Sequence, residues 1–237
     1  MSTRAGGHSG GPWASLNLGA ACGDDPAAVA ANRRLVASWV GAPLAWPRQE
    51  HGAGVLEVLR SSLDSALPPA DALWTREPGL VLAVPVADCL PVLMCADDGS
   101  AVAAVHAGWR GLAAGVLEAM LGTWQRELGL PPSRICVWLG PCIGPRQFEV
   151  GREVREVFRA AGAADSRFVP RQRADGSPGW LADLAGLARD RLQQVGVRDV
   201  SGGHWCTVED AGRFFSYRRD GVTGRMAGLV GIRGRQP

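Results

Sequence analysis

Cys89 and His106 are the two residues whose types and spacing point most directly to chemistry. They bracket two apolar runs, residues 90–95 and 101–106, joined by Asp97-Asp98-Gly99-Ser100. Asp-Gly between two such runs is a hairpin signal. With Asp98-Gly99 as a two-residue turn, paired positions sum to about 197, which sets His106 opposite Pro91 and Gly108 opposite Cys89. The two reactive side chains then share one end of one hairpin. Two chemistries fit. A Cys89 thiolate and a His106 imidazole can ligate a metal with a third residue, leaving the open position that catalytic zinc uses. Alternatively, Cys89 is a nucleophile and His106 its base. A buried core cysteine beside a hydrogen-bonded histidine is the plainer alternative.

The residues after His106 favour a site. Gly108-Trp109-Arg110-Gly111 brings a guanidinium and free backbone N–H groups next to the imidazole, which suits an anion. His51, in Gln49-Glu50-His51-Gly52, is the natural third ligand, since a histidine before glycine in a short loop can approach a cleft. An exposed loop histidine is its plainer reading. A closed, purely structural zinc site would need a fourth ligand from Cys95, Cys142 or His204. Gly7-His8-Ser9-Gly10-Gly11 has the letters of a nucleophile elbow but no strand before it, so it is set aside. Phe214-Phe215 reads as core. Ser216-Tyr217-Arg218-Arg219 alternates, turning one arginine toward a cleft and one toward solvent.

The elements that must position these residues can be read in outline. Asp25 caps a helix with Pro26 at its first position, and Gly41 stops it after Val40. Residues 80–87, 90–95, 101–106, 135–139, 197–201, 213–218 and 226–232 read as strands. Residues 108–111 make a turn into a helix over 112–128, and residues 151–160 and 181–195 are further helices. The result is one α/β domain over 1–237 in αβα layers around a mixed β-sheet, with residues 1–12 as a flexible N-terminus.

Composition narrows the function. The chain has 237 residues, a net charge of +2 and 20% charged residues, which argues against a nucleic-acid binder. No run of about 18 apolar residues and no secretory leader is present, so the expectation is a cytoplasmic protein with reduced cysteines and no membrane contact. All 25 basic residues are arginine. Without lysine there is no Walker phosphate lysine and no Schiff base, so any phosphate must be held by arginine, backbone N–H groups or metal.

Several segments together resemble the YfiH-type laccase-domain family, whose members are also called multicopper polyphenol oxidoreductases, purine nucleoside phosphorylases or peptidoglycan editing factors. They are Ser15-Leu16-Asn17-Leu18-Gly19, Cys22-Gly23-Asp24-Asp25-Pro26, Asn32-Arg33, Ala87-Asp88-Cys89-Leu90-Pro91, His106-Ala107-Gly108-Trp109-Arg110-Gly111, Gly140-Pro141-Cys142-Ile143-Gly144-Pro145, Phe214 to Arg219 and Gly224-Arg225-Met226. The resemblance covers residues 13–232. It implies a fold similar to the cysteine-hydrolase domain of deamidating toxins. It also implies a metal, zinc or else copper, on His51, Cys89 and His106, which would be the catalytic residues too. Glu50 stands where the family usually has an apolar residue.

The implied activity is phosphorolysis of adenosine, inosine and methylthioadenosine, with adenosine deamination, by a monomer whose partners are a purine nucleoside and phosphate. Asn17, Arg33, Arg110, Arg146 and Arg218 are the substrate-binding candidates, and Trp109 or Phe214 the wall for the base. The family's other activities are a cytoplasmic amidase that edits peptidoglycan precursors and a copper-dependent phenol oxidase. A four-copper oxidase needs roughly ten histidines, and this chain has four. The usual zinc-deaminase signature is absent as well.

Overall fold

A computed structural model describes residues 1–234. Helix α1 (Pro26–Val40) begins where Asp25 accepts the Ala27 N–H and ends on Gly41 at φ 65°, the left-handed stop that glycine takes readily. Strands β1 (Leu44–Ala45), β2 (Val55–Glu57), β3 (Ala72–Thr75) and β4 (Val81–Val86) follow. The hairpin is β5 (Leu90–Ala96) and β6 (Val102–Ala107), after which come α2 (Trp109–Ala113) and α3 (Val116–Leu128). Then come β7 (Ile135–Leu139), β8 (Glu149–Val150), α4 (Arg152–Ala160), β9 (Phe168–Gln172) and β10 (Pro178–Ala182). The described chain closes with α5 (Leu184–Gln194), β11 (Asp199–Gly202), α6 (Tyr217–Asp220) and β12 (Met226–Gly231).

The α/β class is as the sequence indicates, and the middle layer is two sheets deep. A six-stranded mixed sheet runs β11-β7-β5-β6-β3-β2. Its helix-facing side packs Leu90, Val92, Met94, Ala103 and Val105 against Leu112, Leu117, Met120 and Trp124 of α2 and α3 and against Leu184 and Leu187 of α5. Its other side packs Leu73, Val102 and Ala104 on Leu82 and Val84 of a three-stranded sheet, β1-β4-β12. Helix α1 covers the far face of that sheet through Val36 and Ala227. Strands β3 and β6 are therefore buried on both faces, and neither shows the polar alternation of a half-exposed strand. A small antiparallel sheet, β8-β10-β9, stands beside α4.

Three expectations change. The helix expected over 112–128 starts at Trp109 and breaks at Gly115, whose φ of 87° suits no continuing helix. Residues 213–218 are not a strand: Phe214 and Phe215 are buried, and the Ser216 hydroxyl accepts the Arg219 N–H to cap the single turn α6. The first dozen residues do not hang free. Ser2 N–H donates to Ala227 O, Arg4 N–H to Arg213 O and His8 N–H to Asn32 Oδ1, while Ser9 is buried with its hydroxyl on Asp24.

Candidate functional site

The β5–β6 pair has the expected register, with Pro91 opposite His106 and Leu90 opposite Ala107. One step further along, Gly108 faces Cys89. A Cβ built on Gly108 would lie 2.9 Å from Cys89 Sγ and 3.3 Å from His51 Cδ2. Glycine there lets the start of α2 close over the cysteine. Gly111 does the same a turn later, where a Cβ would come within 2.8 Å of Gly52 O.

His51 arrives from the loop before β2, with φ of 59°. Asp71, one residue before β3, holds it there. Asp71 Oδ1 accepts the His51 N–H at 3.0 Å, and Oδ2 accepts Glu50 N–H at 3.1 Å and Gly52 N–H at 2.8 Å. Three successive N–H groups thus wrap one buried carboxylate. The same Oδ1 lies 2.8 Å from His106 Nδ1, and Asp71 O accepts the His106 N–H at 2.7 Å. With Nδ1 committed to Asp71, His106 offers Nε2 to the site, an arrangement common behind metal-binding histidines.

The outcome is a compact trio. One ligand atom each from His51, Cys89 and His106 lie within 4.8 Å of one another. The two imidazoles meet edge to face, with centroids 4.8 Å apart. Two nitrogens and a sulfur suit zinc, whose bonds of about 2.0–2.3 Å would draw the three slightly closer. Among the described residues no fourth histidine, cysteine or carboxylate joins them, so the set has the three-ligand form of an open site. Glu50 is exposed, pairs its carboxylate with Arg48 at 3.5 Å and does not join the trio.

Burial alone would push the Cys89 thiol up, but the neighbouring charge and hydrogen bonds of His106, aided by His51, bring it down to about 6. Burial works against the His106 cation too, yet the Cys89 sulfur and Asp71 raise it to about 9. Burial would likewise raise Asp71; the His106 imidazole and the Gly52 and Glu50 N–H groups hold it below the usual carboxylate range. Both shifts favour the charged forms, a thiolate on Cys89 and an imidazolium on His106.

A cleft of about 170 Å³ opens beside Cys89, with Trp109, Ile143, Phe148, Tyr217 and Arg218 on its walls. The Arg218 guanidinium lies over Phe148 at 5.6 Å, and its Nη1 donates to Glu149 O at 3.1 Å and Gln147 O at 3.4 Å. Nε and Nη2 have no protein partner among the described residues. Arg110 is exposed and stacks on Trp109 at 4.5 Å. A separate hollow of about 840 Å³ lies between the end of α1 and β12, and no histidine, cysteine or carboxylate lines it.

The other three substrate-binding candidates have their polar groups engaged within the protein. Asn17 is fully buried, with Oδ1 accepting Gly19 and Arg225 N–H groups and Nδ2 donating to Asp24. Arg33 spends Nε and Nη2 on Leu18 O and stacks on Trp46. Arg146 is neutralised by Glu209 through contacts of 3.0 and 2.7 Å, in a separate cleft with His204 and Cys206. Phe214 is buried rather than a cleft wall; Phe148 and Tyr217 take that place. Sequence reasoning does not find Asp71, Phe148 or Tyr217 as site residues. An acid before the apolar run 72–75 is the available signal for Asp71.

Comparison with known proteins finds relatives over nearly the whole chain. A family model described as multi-copper polyphenol oxidoreductase laccase matches residues 1–233. A purine nucleoside phosphorylase of Pseudomonas aeruginosa is 50% identical over 232 residues, 97% of this chain and 91% of that protein. The purine nucleoside phosphorylase YfiH of Escherichia coli is 48% identical over the same shares. Among solved structures, a Neisseria meningitidis protein superposes with a TM-score of 0.90 at 44% identity, covering 99% of this chain and 93% of its own. YlmD from Geobacillus stearothermophilus also gives 0.90, at 36% identity, covering 98% and 90%. The chain belongs to the multi-copper polyphenol oxidoreductase laccase family.

Proposed function

We propose that the protein is a zinc-dependent purine nucleoside phosphorylase acting on adenosine, inosine and methylthioadenosine, with adenosine deamination as a second activity of the same site. The observation that carries this reading is the open trio of His51, Cys89 and His106 beside a cleft that pairs aromatic walls with an arginine. His51, Cys89 and His106 would hold the zinc ion, which would supply Lewis acidity at this end of the cleft.

The chain's own residues do the rest. Trp109, Phe148 and Tyr217 give the flat base apolar and aromatic surface. Arg218, with Nε and Nη2 unengaged, and Arg110 hold the phosphate, the task that falls to arginine in a chain without lysine. With both substrates so held, a phosphate oxygen bonds to C1′ of the sugar as the bond to the base breaks, and the base leaves with the proton that the hydrogen phosphate gives up. Asp71 keeps both imidazoles oriented throughout. No described helix is long and apolar enough to cross a membrane, and we place this activity in the cytoplasm.

The test is adenosine or inosine turnover by the zinc-loaded protein with and without phosphate. Ribose 1-phosphate that forms only with phosphate, and disappears in Cys89→Ala and His106→Ala, is expected. Base release without phosphate dependence, or full turnover by metal-free protein, overturns the reading.

A further inference from the structure

Among the described residues only two that are not glycine have positive φ, His51 at 59° and Asp88 at 91°. The first is accounted for by the N–H groups gathered on Asp71. The second has no explanation in the metal trio, although it immediately precedes Cys89 in the turn between β4 and β5. A side chain at that φ is strained, and such strain persists only where neighbouring contacts impose it. Three contacts do so here. Asp88 Oδ1 accepts the Thr207 hydroxyl at 2.6 Å, Oδ2 accepts the Arg218 N–H at 2.6 Å, and Asp88 O accepts the Ile143 N–H at 2.9 Å. With its own turn included, four stretches of chain meet at Asp88.

Two of them carry the working groups. Backbone on one side of Asp88 leads directly to the Cys89 sulfur. Its carboxylate fixes the backbone of Arg218, whose side chain lines the same cleft as Cys89. We propose that Asp88 is a positioning residue that aims two groups at once: its left-handed backbone sets the Cys89 sulfur toward His51 and His106, and its carboxylate sets Arg218 to meet the oxyanion of the second substrate. This rests on the phosphorolysis reading only for the identity of that anion.

The two halves can be separated by substitution, because glycine accepts the backbone conformation and lacks the carboxylate. In Asp88→Gly, zinc affinity measured against a chromophoric chelator should match the wild type. The KM for inorganic phosphate should rise at least tenfold, with kcat changed less than threefold. In Asp88→Ala the backbone must relax as well, so zinc affinity should also fall about tenfold, the lower end of the loss seen when a ligand's supporting group is removed. Asp88→Asn should restore both, since asparagine tolerates the left-handed region and can accept from Arg218 while donating to Thr207.

A wild-type phosphate KM in Asp88→Gly, or a wild-type zinc affinity in Asp88→Ala, overturns the proposal. A residue serving only stability would lower the melting temperature of all three variants and leave both readouts in place. Should Asp88→Gly fail to fold, a lower zinc affinity and a higher phosphate KM in Asp88→Ala, both restored in Asp88→Asn, support the two roles, and wild-type values of both in Asp88→Ala overturn them. If the wild-type protein forms no ribose 1-phosphate, the phosphorolysis reading fails, and the zinc comparison between glycine and alanine still decides the role of Asp88.

Discussion

Asp71 and His106 face each other across neighbouring strands, one step beyond the Ala72–Val105 pair of β3 and β6, and a 2.8 Å contact joins Oδ1 to Nδ1. The same carboxylate gathers the N–H groups of residues 50–52, so one acid orients both histidines, one through its ring and one through its backbone. In Asp71→Asn, the amide oxygen can still accept from His106, but the NH₂ group must face N–H donors. Loss of such a supporting partner typically costs about 10–100-fold in metal affinity. A chelator competition should show a loss of that size. Unchanged zinc affinity would mean that the carboxylate only stabilises the fold.

Gly108 tests the close approach of α2 to the site. Its φ is −65°, which any residue adopts, so Gly108→Ala adds steric crowding at Cys89 and no backbone strain. Gly99 is the converse, with φ of 73° and open space where a Cβ would sit. Gly99→Ala should cost about 1–2 kcal/mol in backbone strain, or roughly 2–8 °C in Tm for a chain this size, and leave zinc and turnover intact. Gly108→Ala should lose more than tenfold in turnover and in zinc retention with a smaller shift in Tm. The reverse pattern would detach α2 from the site.

The hairpin is legible in the sequence even though its turn differs from the two-residue form expected. The loop is the four residues 97–100, closed by Ala96 N–H to Ala101 O, with Gly99 alone at positive φ. Its centre is unchanged, so the register and the meeting of Cys89 with His106 survive. Asp71 is not legible, because β3 is four residues long and buried on both faces, which leaves no alternation to read. Asn17 and Arg33 stand in family-like motifs, yet their polar atoms serve the protein itself, Asn17 the Gly19 N–H and the Asp24 carboxylate and Arg33 the Leu18 carbonyl. A motif marks residues that matter to a fold without saying whether packing or substrate is the reason. The Phe148 and Tyr217 walls depend on how the β8 region and α6 fold back on the cleft, a long-range packing outcome with no local periodicity.

The Cys89–His106 pair makes a reactivity prediction for the metal-free protein. With the thiol brought down to about 6 from its ordinary 9.0, iodoacetamide should label Cys89 with a midpoint near pH 6, followed on the peptide containing it. His106→Ala should move that midpoint upward, and a wild-type midpoint near 9 would overturn the assignment. Stability should show little of this. A depressed thiol alone contributes stability above pH 9 that is lost as pH falls through about 6. A raised imidazole alone contributes stability below pH 6.5 that is lost as pH rises through about 9. The two slopes oppose each other: between pH 6.5 and 9 the folded pair holds its one proton on His106 and the unfolded pair holds it on Cys89. Equal proton counts give no slope, so this pair should leave unfolding free energy flat over that range.

Arg218 and Arg146 are both exposed arginines from family-like motifs, and the structure separates them. Arg146 is held by Glu209, which Gln147 also contacts, in the cleft that contains His204 and Cys206, so a phosphate approaching it would have to displace an intramolecular carboxylate. Arg218 shares a cleft with Cys89, and its Nη1 is fixed on backbone carbonyls while Nε and Nη2 are available to an anion. A hydrogen bond to a charged group is worth about 1.5–3 kcal/mol, which corresponds to roughly 10–150-fold in affinity. Arg218→Ala should raise the KM for phosphate by that factor, and Arg218→Lys should recover little, because an ammonium cannot reproduce a planar fork that holds the carbonyls through Nη1 and leaves Nε and Nη2 for the anion. Arg146→Ala should stay within about twofold of the wild type, the change expected when no charged hydrogen bond is lost. Steady-state phosphorolysis at varied phosphate measures all three, and a loss in Arg146→Ala as large as that in Arg218→Ala would move the anion to the other cleft.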